Sequence, residues 1–128
     1  MKILGIDFGT KKIGLATAST TFAEVYGVIR FKTVDEAIKK IKRVVEDERV
    51  EKIVIGISEG ETARKTRIFG EKLEKLIQLP IIFQDETLST KDAQRLSIEA
   101  GIRRKKRKQL EDAYSAVLIL QQYLDRMS

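Results

Sequence analysis

Residues 3–18 read Ile-Leu-Gly-Ile-Asp-Phe-Gly-Thr-Lys-Lys-Ile-Gly-Leu-Ala-Thr-Ala, a stretch that predicts two neighbouring strands of a sheet. In its first part, Ile3–Phe8, the even-numbered residues are all apolar while the odd-numbered ones include an aspartate. That alternation predicts a strand with two different faces. Residues 9–12 supply a turn, and Ile13–Ala18 predicts the returning strand. A third strand is predicted at Val25–Phe31, so an antiparallel meander begins the fold.

The next segment changes to a helical period. Thr33 and Glu36 have the spacing of a capping box, in which each side chain satisfies a free backbone N–H at the start of a helix. Apolar residues then recur at helical spacing, which predicts that they face the core. These residues are Ala37, Ile38, Ile41, Val44 and Val45.

Strands and helices alternate over the rest of the chain. Short apolar runs predict two more strands, and segments with a helical period predict three more helices. The predicted strands are Lys52–Ile57 and Ile81–Gln84, and the predicted helices cover Thr62–Gln78, Ser89–Gly101 and Leu110–Met127. The residues of the Thr62–Gln78 helix that we expect to face inward are Phe69, Leu73, Leu76 and Ile77.

This order of elements predicts the fold class. Helices that alternate with the later strands imply parallel neighbours joined by crossover connections, and hence a five-stranded mixed sheet with helices on both faces. No repeat, linker or low-complexity tract divides the 128 residues, so we expect a single domain over residues 1–128. The order is typical of a ribonuclease H-like α/β domain.

The composition excludes several kinds of chemistry. The chain has no Cys and no His, which rules out catalysis by a nucleophile and histidine pair and metal sites built on thiolate or imidazole. Any metal must be held by oxygen ligands, which favours Mg²⁺ or Mn²⁺. The net charge of +6 is compatible with a polyanionic partner, nucleic acid first. No apolar run approaches the roughly 20 residues of a membrane span, and we expect a cytoplasmic protein without membrane contact.

Three acidic positions are candidates for chemistry, and each has an ordinary structural alternative. Asp7 lies in an apolar strand beside two glycines that leave its carboxylate approachable, or it caps a turn. Asp85 and Glu86 follow the fifth strand at the edge where ligands of α/β sheets bind, or they are solvated loop charges. Asp112 lies at the edge of the inward stripe of the last helix, or it is a favourable acid in its first turn.

The predicted topology could bring these acids together at one edge of the sheet. Two Mg²⁺ ions could then share them, one activating a water and the other stabilising the leaving oxygen of a cleaved phosphodiester. The absence of His favours this route, because no imidazole is present to act as a general base.

The strongest local charge signal is the basic run Arg103-Arg104-Lys105-Lys106-Arg107-Lys108. Six consecutive cations repel one another, which favours an exposed loop or helix start that contacts phosphate groups. Lys11 and Lys12, in the turn after Asp7, can add to the same nucleic-acid-binding surface. The alternative is a solvated segment that keeps the protein in solution.

Three motifs in this order resemble the YqgF/RuvX family of Holliday junction resolvases, which is also associated with maturation of the 5′ end of 16S ribosomal RNA. The first motif is residues 5–16, Gly-Ile-Asp-Phe-Gly-Thr-Lys-Lys-Ile-Gly-Leu-Ala, and the second is residues 85–90, Asp-Glu-Thr-Leu-Ser-Thr. The third runs from Lys105-Lys106-Arg107-Lys108 through Asp112 to residues 119–124, Ile-Leu-Gln-Gln-Tyr-Leu. The resemblance spans nearly the whole chain.

The resemblance implies a ribonuclease H-like fold and assigns the catalytic, metal-binding acids to Asp7, Glu86 and Asp112, with Asp85 as the adjacent acid of the same motif. The implied reaction is hydrolysis of a phosphodiester bond that depends on Mg²⁺ or Mn²⁺ and leaves a 5′-phosphate. The implied partners are an rRNA precursor or branched DNA, and ribosomal particles. The chain would act as a monomer or a weak homodimer. Two symmetric cuts in a junction favour a two-fold dimer, whereas trimming an RNA end does not require one.

The chain also departs from the family pattern. Thr87 stands where the family usually has an arginine, which removes a cation that could bind phosphate. The loop at residues 57–60 is shortened, and Ser19-Thr20 and Ser115-Ala116 replace the usual Ser-Asp and Ala-Ala pairs. These departures keep a second hypothesis open, that the chain is a catalytically weak nucleic-acid-binding module with a degenerate ribonuclease H-like site.

A third hypothesis comes from the first motif alone. Asp-x-Gly-Thr followed by a turn, at residues 7–10, also resembles the first phosphate loop of actin-like and sugar-kinase-like proteins. The nucleotide site of those proteins lies between two such domains, whereas 128 residues provide one.

Overall fold

A computed structural model of the chain describes residues 1–58, 60–85 and 104–127. Five strands form one mixed sheet in the order β3-β2-β1-β4-β5. β1 is antiparallel to β2, β2 is antiparallel to β3, and β4 and β5 run parallel to β1. The strands are β1 (Ile3–Phe8), β2 (Lys12–Ala18), β3 (Glu24–Arg30), β4 (Lys52–Ile57) and β5 (Ile81–Asp85). The predicted meander and the two later strands are confirmed.

Three described helices cover the two faces of this sheet. They are α1 (Val34–Glu48), α2 (Glu61–Ile77) and α3 (Arg104–Met127). The larger core lies between the sheet and α1 with α2, and it takes the even-numbered residues Leu4 and Ile6 of β1. The smaller core lies between the other face and α3, and it takes Ile3. The helices therefore lie on both faces, as the element order predicts.

The start of α1 follows the predicted capping signal in part. The Thr33 hydroxyl accepts a hydrogen bond from the Glu36 N–H at 3.2 Å, and the five predicted inward residues are all buried. The Glu36 carboxylate, however, accepts from the Lys32 N–H at 3.0 Å rather than from that of Thr33. This hydrogen bond, followed by the interaction with Lys40, holds the pKa of Glu36 below its usual range.

The inward face of α2 differs from the prediction at one position. Phe69 and Leu73 are buried and Ile77 packs against the same core, but Leu76 is 48% exposed, so the prediction for Leu76 is wrong. Leu76 lines a gap between α1 and α2 together with Ile38. The helical period predicts that Leu76 lies on the side of α2 that faces the core. It does not show that α1 and α2 leave a gap at this position, which exposes the Leu76 side chain.

The last helix begins earlier than predicted. The backbone is helical from Arg104, six residues before the predicted start at Leu110, so most of the basic run forms the helix start that is one of its two predicted states. Lys and Arg are good helix formers, and salt screens the repulsion between neighbouring cations. The predicted helix at residues 89–101 lies outside the described residues. No helix in the described part of the chain is long and apolar enough to cross a bilayer.

Candidate active site

Asp7 lies near the carboxyl end of β1, on the face of the sheet that α3 covers. It is half-buried, and its direct partner in the antiparallel pair with β2 is Gly14. The turn that joins the two strands closes with a hydrogen bond from the Gly9 N–H to the Lys12 carbonyl at 3.0 Å. The sequence prediction of the face and strand position of Asp7 is confirmed.

Asp112 comes to the same place from the other end of the chain. A Cβ atom built on Gly14 would coincide with the backbone carbonyl of Asp112 and would lie 2.8 Å from the Ala113 nitrogen. The α3 backbone can therefore pack on β2 at this point only because residue 14 has no side chain. Because directly opposed residues of an antiparallel pair lie about 5 Å apart, this contact brings Asp112 next to Asp7.

Two further glycines let α3 lie close to the sheet along its length. A Cβ on Gly5 of β1 would come within 2.8 Å of the Leu120 Cβ, and one on Gly56 of β4 would come within 2.9 Å of the Ile119 Cγ1. The space beside Gly5 is therefore filled by α3, and access of a ligand to the half-buried Asp7 stays a prediction. Glycines inside strands are the signal that could have predicted this close approach.

Lys12 forms an ion pair with Asp112. The Lys12 Nζ lies 3.7 Å from the Asp112 Oδ2, and both side chains are about one-third exposed, at 37% and 34%. An exposed pair of this kind contributes at most about 1 kcal/mol to folding. The pair holds the Lys12 ammonium group beside a candidate metal ligand. From its position in the turn, Lys12 is predicted only to add to a nucleic-acid-binding surface.

The third acidic position lies at the end of β5. The parallel register aligns Ile6 of β1 with Ile55 of β4, and Ile55 with Phe83 of β5, so these strands end at the same edge of the sheet. Asp85 is the last residue of β5 and is exposed. Two strand spacings separate β5 from β1, which is roughly 10 Å. Glu86 lies outside the described residues.

Neighbouring residues of β5 point to opposite faces. The Gln84 side-chain carbonyl accepts a hydrogen bond from the Arg126 Nη1 of α3 at 3.0 Å, so Gln84 lies on the α3 face. Alternation gives Asp85, the last residue of the strand, the opposite orientation, although Asp85 also borders the cleft that Gln84 forms with Gln122 and Arg126 of α3. The Gln84–Arg126 contact joins β5 to the end of α3, and no motif in the sequence indicates it.

The structure thus brings together two of the three predicted acids, Asp7 and Asp112. Among residues 1–58, 60–85 and 104–127, no group of three or more Asp, Glu, His or Cys residues is close enough to hold one metal ion. The two aspartates supply carboxylate oxygens, the ligands that Mg²⁺ and Mn²⁺ prefer. The pair can therefore form part of such a site, to which the described residues add no third carboxylate.

The basic run lies shortly before Asp112 in the chain and, from Arg104 onward, in the same helix. Its helical part, Arg104–Lys108, precedes Asp112 in α3, and eight residues of helix extend roughly 12 Å. The side chains of residues 104–109, and all of Arg103, lie outside the described part of the chain. Lys11 is exposed in the turn after β1. The helical part of the basic run therefore lies within roughly 12 Å of Asp112 along the helix axis.

Comparison with known proteins assigns the chain to a family over almost its full length. The family described as RuvX, Holliday junction resolvase, matches residues 1–126. A protein of Dictyoglomus thermophilum named as a pre-16S rRNA nuclease is 38% identical over 136 residues, covering 100% of this chain and 98% of the relative. A protein of Caldanaerobacter subterraneus subsp. tengcongensis with the same name is 40% identical over 134 residues, covering 98% and 96%.

Solved structures show the same fold at low sequence identity. RuvC of Thermus thermophilus in complex with a Holliday junction substrate superposes with a TM-score of 0.65 at 17% identity, covering 99% of this chain and 96% of that one. The fowlpox virus resolvase in complex with Holliday junction DNA also gives 0.65, at 14% identity and 99% coverage of both chains. The ribonuclease H-like fold predicted from the element order is confirmed.

Proposed function

The chain belongs to the RuvX family, and we propose that it is a metal-dependent nuclease that hydrolyses phosphodiester bonds in structured nucleic acid. The observation that carries the proposal is the close approach of Asp112 to Gly14, which sets two aspartates from opposite ends of the chain side by side. A fold alone does not imply this arrangement, whereas a shared cation between β1 and α3 explains it.

The proposed ligands are Asp7, Glu86 and Asp112. The two aspartates fit Mg²⁺ or Mn²⁺ because they are hard oxygen donors. Glu86 is proposed as the third ligand because it directly follows β5, which ends at the edge where Asp7 lies. When bound, the metal would activate the attacking water and stabilise the leaving oxygen.

The chain's own residues position the substrate. Lys12 holds the Asp112 carboxylate by its ion pair and leaves a positive charge at the rim of the site, where a substrate phosphate would lie. Lys11 and residues 103–108 are proposed to contact the phosphates on either side. Their role is affinity and placement, since contacts to phosphates carry no sequence information.

We propose an rRNA precursor as the main substrate, cut to form the 5′ end of 16S rRNA. Relatives that are 38–40% identical over their whole length are named as pre-16S rRNA nucleases, whereas the resolvases share 14–17% of their residues with this chain. Ribosomal particles would then be partners, and the protein would act in the cytoplasm as one domain, as a monomer or a weak homodimer. Resolution of branched DNA is the second candidate, favoured by the description of the family.

A cleavage assay with both substrates tests the proposal. The purified protein is incubated with an end-labelled precursor of 16S rRNA and with a synthetic four-way DNA junction, in Mg²⁺, in Mn²⁺ or in EDTA. We expect cleavage that needs the metal, is lost in Asp7→Asn and is retained in Asp47→Asn. The control makes the same chemical change at an exposed position of α1, on the other side of the sheet.

The outcomes separate the hypotheses. Cleavage of one substrate selects the substrate class in the same gel. Cleavage by Asp7→Asn at the native rate contradicts the proposed site. Binding of both substrates without cleavage would support the catalytically weak binding module that Thr87 and the shortened loop at residues 57–60 keep open.

A further inference from the structure

A cavity lies on the face of the sheet that α1 and α2 cover, near the end of β1 that carries Asp7 on the other face. It has a volume of about 320 Å³ and lies between the end of β1, the start of α1 and the middle of α2. Phe8 and Thr10 line it from the first strand and turn, and Phe31 lines it from the segment after β3. This volume is within the range of small-molecule sites, and a single nucleotide is a ligand of suitable size.

Three aromatic rings form one wall of this cavity. The Phe8 and Phe69 rings stack with their centroids 4.3 Å apart, and the Phe8 and Phe31 rings stack at 6.1 Å. Phe69 is 1% exposed and belongs to the core, while Phe8 and Phe31 are half-buried. The wall therefore has a fixed inner ring and two outer rings that a planar ligand can contact.

The rim of the cavity is basic. Lys65 and Lys72 of α2 line it, and both are exposed, whereas none of its described lining residues is acidic. Ile68, which lies between them on the same helix, is 48% exposed. An aromatic and apolar floor with lysines at the rim matches a ligand that combines a flat ring with a negative charge.

The cavity is one residue away from the proposed chemistry. Asp7 and Phe8 are neighbours in β1 and point to opposite faces, so the aspartate faces α3 while the phenylalanine faces the cavity. A nucleic-acid strand that crosses the edge of the sheet could place a phosphate near Asp7 and the next nucleotide beside Phe8.

We propose that this cavity binds an unpaired nucleotide of the nucleic-acid substrate, next to the bond that is cut. The base contacts Phe31 and Phe8, and the Lys65 and Lys72 ammonium groups contact the flanking phosphates. A paired base is stacked inside its duplex and cannot enter, so the cavity selects substrates with single-stranded or unstacked nucleotides. This inference rests on the proposed function, and it adds the class of substrate that the site accepts.

Binding of a fluorescent RNA tests the inference separately from cleavage. The probe is a short single-stranded RNA that contains 2-aminopurine, and the protein carries Asp7→Asn so that the probe stays intact. We expect saturable binding with a change in 2-aminopurine fluorescence. Phe31→Leu keeps an apolar side chain but removes the ring, so we expect about tenfold weaker binding and loss of the fluorescence change. Phe31→Tyr keeps an aromatic ring, so its affinity and its fluorescence change should match those of the protein with Phe31.

A matched set of variants on α2 locates the contact. Ile68→Ala and Lys65→Gln alter the cavity, and we expect each to weaken binding several-fold. Leu76→Ala and Lys75→Gln are the controls, because Leu76 is also 48% exposed and both residues line the neighbouring gap between α1 and α2. We expect the controls to bind like the parent protein.

Several results would overturn the inference. One is an unchanged affinity of the Phe31→Leu variant when its melting temperature equals that of the parent. Another is a loss of affinity in the Leu76→Ala and Lys75→Gln controls as large as that in the cavity variants. A third is that the probe does not bind at all. The same RNA annealed to its complement should be insensitive to Phe31→Leu, and equal sensitivity would also overturn it. Failure of cleavage by the Asp7-containing protein, with binding intact, would instead count against the proposed function alone.

Discussion

Gly14 is the residue on which the candidate site depends most directly. A side chain at this position would occupy the space of the Asp112 backbone, so α3 would have to move away from β2. We expect Gly14→Ala to destabilise the protein by at least about 2 kcal/mol, because the clash is with backbone atoms that cannot rotate away. Denaturant unfolding measures this loss.

Gly27 provides the matched control for that prediction. It lies in β3 of the same sheet, and a Cβ atom built on it has no heavy atom within 4 Å among the described residues. Gly27→Ala should therefore change the free energy of unfolding by less than about 1 kcal/mol. Equal losses in the two variants would show that a general effect of removing glycine from the sheet, rather than the α3 contact, is responsible.

At the scale of the element, the start of α1 has a stability that depends on pH. The Lys32 N–H, and then Lys40, lower the pKa of Glu36 in the folded protein, so the ionised carboxylate favours folding. This contribution is complete above the ordinary pKa of a glutamate and is lost as the pH falls through the lower folded pKa. Glu36→Gln should therefore be less stable than the parent at neutral pH and equal to it in strong acid.

Unfolding in urea across this pH range tests the prediction about Glu36. Thr33→Ala is a useful comparison, because it removes the other half of the helix cap by breaking the hydrogen bond to the Glu36 N–H. Its loss of about 1 kcal/mol should not change with pH, since a hydroxyl does not titrate here. A Glu36→Gln deficit that persists unchanged in acid would contradict the electrostatic explanation.

The first turns of α3 form the second element with a testable role. Replacing Lys105, Lys106 and Arg107 with Gln removes three charges from the segment that precedes Asp112. We expect weaker binding of RNA and of junction DNA. The slope of log K against log salt concentration should become less steep by about 2. Filter binding at several salt concentrations measures both quantities.

The control for the basic segment removes the same charges elsewhere. Lys39, Lys42 and Arg43 are exposed on α1, on the opposite side of the sheet from α3, so their replacement by Gln changes the net charge equally. If the two triple variants lose affinity and salt dependence to the same extent, net charge explains the binding and α3 has no special position in the interface.

At the scale of the whole molecule, a shared metal would join β1 to α3 and so couple metal binding to folding. We expect Mg²⁺ or Mn²⁺ to raise the free energy of unfolding by about 2.7 kcal/mol at one hundred times the dissociation constant. Asp7→Asn should lose most of this gain, whereas Asp47→Asn, on exposed α1, should keep it. Calorimetric melting with and without metal measures the effect, and an unchanged gain in Asp7→Asn would place the metal at another site.

Local sequence patterns predict the strands and helices and the face on which most of their residues lie. The alternation over Ile3–Phe8 predicts both the strand and the face of Asp7, and Thr33 predicts the start of α1. These predictions succeed because they depend on local physics: the two-residue period of a strand, the helical period and the hydrogen bond of a cap. Element order then predicts the mixed sheet, because parallel neighbours need crossover connections.

The contacts between the helices and the sheet depend instead on how complete elements pack together. Local patterns leave open whether a neighbouring element reaches a given side chain, which is why Leu76 is exposed and why Gly5 is covered by Leu120. The approach of Asp112 to Gly14, about one hundred residues apart in the chain, is decided by how the α3 backbone packs on a strand without a side chain at that point. A contact of this kind depends on the packing of two complete elements, and no period or cap within either one specifies it.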